Sequence, residues 1–98
     1  MKKLGDLRNV GKATLADLSL LGIESVEQLS SQEPTFLFQE LERRTNQRQD
    51  PCVWDVFAAI IHEAATGKAT NWWEWTAKRK NLQKNGLLKH IITNEFQK

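Results

Sequence analysis

The residues best placed to do chemistry form one short stretch, Leu7-Arg8-Asn9-Val10-Gly11-Lys12-Ala13-Thr14. Asn9 and Gly11 flank an apolar Val10. Glycine takes positive φ freely and asparagine tolerates it next best, so both are expected in left-handed geometry at a backbone reversal. A helix that opens at Lys12 leaves its first amides unpaired, and those amides together with the positive end of the helix dipole seat an anion. Lys12 adds a full charge there. Arg8 flanks the stretch, and Thr14 offers a hydroxyl.

Other reactive side chains give less. His62-Glu63-Ala64-Ala65-Thr66 starts like a zinc-protease helix, but Thr66 stands where the second histidine must be. His90 has no acidic or sulfur neighbour at ligand spacing, so no metal site is expected. Cys52 falls in the first turn of a helix, where the dipole would lower a thiol pKa; the plainer reading is a small buried residue. No glycine-rich nucleotide loop and no nucleophile elbow is present. The chain is expected not to be an enzyme and to need no cofactor.

The elements that must position these residues read as helices throughout. No stretch alternates apolar and polar residues for long, so the expected class is all-α, a compact bundle of five to seven short helices. A helix over Lys12 to Leu21 places Leu15, Leu18 and Leu21 inward, Gly22 ends it, and Ile23 plugs the core. Ser25 caps a short helix to Leu29 or Ser30, with Gln28 completing a capping box. Pro34 opens the next helix, with Phe36, Leu37 and Leu41 as its buried stripe and Phe38 on a flank. Asp50 and Pro51 start the longest helix, on which Val53, Trp54, Phe57, Ala58, Ile60, Ile61, Ala64 and Ala65 make it nearly surrounded, and Gly67 stops it. Asn71-Trp72-Trp73-Glu74-Trp75 packs three indoles into four residues, read either as a lid over the core or as a stacking surface. Thr76 caps a basic segment, Ala77 to Asn85. After Gly86, Leu87, Leu88, Ile91, Ile92 and Phe96 predict a last amphipathic helix that docks on the bundle or makes a dimer.

Ninety-eight residues make one domain that buries roughly two-thirds of the surface its unfolded chain exposes. A single cysteine excludes an internal disulfide. No apolar run serves as a signal peptide or a membrane span, so a cytoplasmic protein is expected. The net charge of +2 is uneven, −3 over residues 1–66 and +5 over 67–98. Lys78, Arg79 and Lys80 in that basic end read equally as nucleic-acid contacts or as a solvated helix face.

The pattern around Asn9, Val10, Gly11, Lys12, Ala13 and Leu18 resembles the helix-hairpin-helix motif, with Asn9 where the motif's first glycine usually stands. Together with Leu21 to Leu29, Asp50 to Phe57 and Trp72 to Trp75, it resembles the small bacterial helix-hairpin-helix proteins of the pathogenicity-locus family, over about residues 4 to 76. The first part also resembles the C-terminal domain of TfoX-type competence regulators. The resemblance implies a SAM-like bundle over residues 1–76; residues 77–98, which it does not cover, read as a basic amphipathic extension packed on that bundle or dimerising. It also implies a grip on the phosphodiester backbone through hairpin amides.

The expected function is sequence-independent binding of duplex or branched DNA, through Arg8, Asn9, Val10, Gly11, Lys12 and Thr14 with Lys78, Arg79 and Lys80. A protein-interaction module using the Trp cluster or the last helix is the rival. No membrane partner is expected, and the chain is expected to be a monomer or weak homodimer.

Overall fold

A computed structural model describes residues 2–91. Among them are five α-helices, two 3-10 turns and no strand: a 3-10 turn Leu4–Asp6, α1 Lys12–Leu20, α2 Val26–Ser30, α3 Pro34–Thr45, α4 Cys52–Thr66, a second 3-10 turn Trp72–Trp75, and α5 Thr76–Lys84. No helix among the described residues is long and apolar enough to cross a membrane.

Helix α4 is the centre of the bundle. Asp50 accepts a hydrogen bond from the Cys52 amide at 2.8 Å, Pro51 precedes the first full turn, and Gly67 at φ 80° ends it. Trp54, Phe57, Ala58, Ala59, Ile60 and Ile61 are all buried, so little of this helix is left for solvent. It also buries Asp55 and Glu63. A charge in such a place is tolerated only when it is paired and hydrogen-bonded. Both are, and each ties a peripheral segment to the core.

Asp55 accepts from Arg79 Nε at 2.8 Å and from the Thr76 hydroxyl at 2.7 Å, which fastens α5. Thr76 is therefore not a cap, because its hydroxyl points into the core. Glu63 accepts from Lys2 Nζ at 2.9 Å and from the Arg8 amide at 2.8 Å, which fastens the N-terminal reversal. A third buried acid, Glu42 on α3, accepts from the Gln49 amide at 2.9 Å and the Ile91 amide at 2.8 Å, and meets His90 Nδ1 at 2.5 Å.

The buried face differs from the sequence expectation on two helices. On α3 the buried stripe is Leu37, Phe38, Leu41 and Glu42, while Phe36 lies outside with Glu40 and Arg43. On α1 only Leu18 is buried, and Leu15 and Leu20 are exposed. The short α2 is capped as expected: Ser25 Oγ accepts from the Gln28 amide, and Gln28 Oε1 accepts from the Glu24 amide, one residue earlier than a capping box requires.

Gly86, at φ 73°, ends α5 as expected, but residues 87–91 form no helix. Instead Leu88 enters the core and the Lys89 carbonyl accepts from Gln39 on α3. Glu42 takes the Ile91 amide, a donor that a helix would need for itself. Ile92 and Phe96 lie outside the described residues.

Candidate nucleic-acid interface

The reversal before α1 is a tight turn in which the Leu7 carbonyl accepts from the Val10 amide at 3.3 Å. Leu7 is buried, and Val10 packs half-buried against the same core. Asn9 occupies the left-handed position at φ 74°, as its type suggested. Its side chain does what no glycine can. Nδ2 donates to the Thr70 carbonyl at 2.7 Å, and Oδ1 accepts from the Trp72 amide at 3.2 Å. The amide group thus turns inward to the 70–72 segment. With Glu63 holding the Arg8 amide, the turn is fixed to α4 on one side and to the Trp segment on the other.

Gly11 departs from expectation. It is extended, at φ −103° and ψ −168°, and serves as the N-cap of α1. That conformation suits any residue, and a Cβ placed there would meet nothing within 4 Å. With no capping side chain, the amides of Lys12, Ala13 and Thr14 have no hydrogen-bond partner among the described residues; the first internal bond of α1 runs from the Leu15 amide to the Gly11 carbonyl. Lys12 and Arg8 have exposed side chains on either side of Gly11, and Thr14 is half-buried. Arg8, Asn9, Val10, Gly11, Lys12 and Thr14 are thus brought together, although Asn9 and Val10 contribute by bracing the turn.

The basic residues of α5 divide. Lys78 and Lys80 are exposed, and Lys78 Nζ lies 5.7 Å from the centre of the Trp75 ring, a cation–π contact. Arg79 must be struck from the candidate contacts. Its side chain is 10 % exposed, and its guanidinium is held by Asp55 in the core, so it has no free charge for a phosphate.

The three indoles also divide. Trp75 is the lid: it packs on the core, donates Nε1 to the Thr70 hydroxyl at 2.9 Å, and stacks obliquely on His62 at 5.3 Å. Trp72 is half-buried, and Trp73, edge-on to it at 5.7 Å, is 58 % exposed.

The Cys52 thiol is half-buried at the start of α4. Burial pushes its pKa up from the ordinary 9.0, and a hydrogen bond to Asp50 and that residue's negative charge act the same way, against a partial opposing pull from Arg79. Among the described residues no three His, Cys, Asp or Glu side chains converge to hold a metal ion.

The pathogenicity locus family, Cdd1, matches this chain over residues 1–81. The mitomycin resistance protein McrB of Streptomyces lavendulae is 32% identical over 79 residues, which are 81% of this chain and 75% of that protein. No solved structure matches.

Proposed function

We propose that this chain, which belongs to the pathogenicity locus family, is a non-catalytic DNA-binding module that grips the phosphodiester backbone without strong sequence preference. The amides of Lys12, Ala13 and Thr14 receive a phosphate oxygen, and Lys12, Arg8, Lys78 and Lys80 supply charge. The observation that carries this reading is Gly11. Its dihedrals and its surroundings would both accept a side chain, so glycine serves as an N-cap here but the fold gives no reason that only glycine fits. A backbone that must be approached closely by a ligand does give one. The anion-seeking end of α1 lies directly behind it.

Fluorescence anisotropy with labelled duplexes of unrelated sequence tests the reading. Lys12→Glu is expected to weaken binding to every duplex alike, because backbone contacts carry no base information. Equal binding by variant and parent would sink the proposal. The 58 % exposure of Trp73 favours one second reading, a protein-interaction module in which that indole meets a protein and the turn is only a corner. There, Lys12→Glu changes nothing and Trp73→Ala abolishes capture of the partner. The relative's name extends the proposal to cells: expression of this chain in a mitomycin-sensitive host is expected to raise survival on the drug, and unchanged survival refutes that extension.

A further inference from the structure

The exposed indole of Trp73 is set on the same rigid unit as the phosphate-seeking turn. Asn9 holds the Trp72 amide at 3.2 Å and the Thr70 carbonyl at 2.7 Å. The 3-10 turn Trp72–Trp75 is closed by Glu74, whose carboxylate accepts from the Asn71 amide at 2.8 Å. Trp75 is pinned beneath by Thr70 and His62. Trp72 braces the Trp73 ring edge-on, with the two planes at 83°. The backbone that carries the indole is held in place, so only the torsions of the Trp73 side chain remain to be ordered when something stacks on it.

The surroundings select the partner. Residues 67–91 carry six Lys/Arg against a single acid, Glu74, and Arg79 alone of the six is spent on the core. A large exposed apolar ring on a segment of net positive charge suits a polyanion that also offers flat apolar faces. Consecutive Cα atoms are about 3.8 Å apart, so the path from Gly11 through Asn9 and Trp72 to Trp73 spans at most about 20 Å. That is roughly six nucleotides along one strand.

We infer that Trp73 is a stacking platform for an unpaired base, so that the chain prefers DNA with a bulge, gap or frayed end over a perfect duplex. The inference rests on the proposed grip of the turn on the backbone. A paired base inside a duplex already stacks on both faces and offers the ring nothing. An unpaired base has a free face, and stacking on an aromatic side chain is insensitive to which base it is.

The test is anisotropy at low salt with the full chain, using a perfect duplex and the same duplex carrying a one-nucleotide bulge of 2-aminopurine. The parent is expected to bind the bulged duplex about ten-fold more tightly and to quench the 2-aminopurine. Trp73→Ala, at an exposed position that leaves the core intact, is expected to lose that preference and the quenching while binding the perfect duplex like the parent. Trp73→Phe is expected to restore part of both. A preference retained in Trp73→Ala, or a parent that binds both DNAs equally, overturns the inference and leaves the grip of the turn standing. Failure of the folded parent to bind either DNA refutes the underlying reading and this one with it. Loss of self-association in Trp73→Ala with the preference unchanged assigns the indole to a second copy of the chain and also overturns the inference.

Discussion

Replacing Gly11 with aspartate should make the protein more stable and less able to bind DNA. The position is the N-cap of α1, with extended backbone and open space where a Cβ would stand. Aspartate is among the best N-caps and gains a few tenths of a kcal/mol over glycine by accepting from the amide of Ala13 or Thr14. Its charge at the positive helix end adds about 0.3–1 kcal/mol. Loss of glycine's freedom in the unfolded chain adds about 0.4–1 kcal/mol more. A conservative total near 1 kcal/mol corresponds to a rise in Tm of about 4–8 °C for a domain of this size. The introduced carboxylate occupies the same amides that a phosphate would need. Each charge-assisted hydrogen bond is worth about 1.5–3 kcal/mol, so affinity should fall by about ten-fold or more. Calorimetry and anisotropy on one preparation read both effects. A lower Tm would mean that the fold itself requires glycine, and a higher Tm with unchanged affinity would mean that the α1 amides hold no phosphate; either refutes the reasoning.

Asn9→Ala removes two hydrogen bonds at about 1 kcal/mol each and puts at φ 74° a residue that tolerates left-handed geometry less well than asparagine, adding part of the about 1–2 kcal/mol that such geometry costs. Thermal unfolding should show a loss of about 3 kcal/mol, and Asn9→Gly, which keeps the dihedral, should lose less. Asp55→Ala strands Arg79 in the core without its partner, and urea titration should show a loss of about 3–5 kcal/mol. Asp17 lies partly buried on α1, and desolvation raises its pKa above the ordinary 3.8. Its charged form therefore disfavours the folded state above that range, and its protonated form does not. Asp17→Asn should raise Tm slightly at pH 7, and the difference should vanish as pH falls below 3.8.

The all-helical class and the position of α4 were legible because Pro51, the run of apolar residues behind it and Gly67 agree on one helix. Helix faces were less so. Phe36 and Phe38 are chemically alike and two positions apart, so periodicity alone could not say which one turned inward, and the structure buries Phe38. The buried acids left a signal that was open to use. Asp55, Ala59 and Glu63 recur every fourth residue, and a helix surrounded by apolar partners must bury that stripe and pair its charges. Their partners, Arg79 and the Arg8 amide, lie 24 and 55 residues away, where local pattern has no reach. The turn was legible from Asn9, but its anchorage to Thr70 and Trp72 was not, since nothing in the spacing links the two segments. Lys78, Arg79 and Lys80 look equivalent in sequence, and only the core position of Asp55 separates the second from its neighbours.

The central claim is tested most directly by the salt dependence of duplex affinity, measured by anisotropy on the full chain. Cutting after Thr76 is no substitute, because it would strip Asp55 of Arg79 and the core of Leu88. With Arg8, Lys12, Lys78 and Lys80 as the available charges, roughly two to four phosphates are neutralised, so log affinity against log salt should have a slope of about −2 to −4. Lys12→Gln and Lys80→Gln should each flatten that slope by about 1. Absence of binding by the folded chain at low salt, or a slope indifferent to Lys12→Gln, would contradict the account.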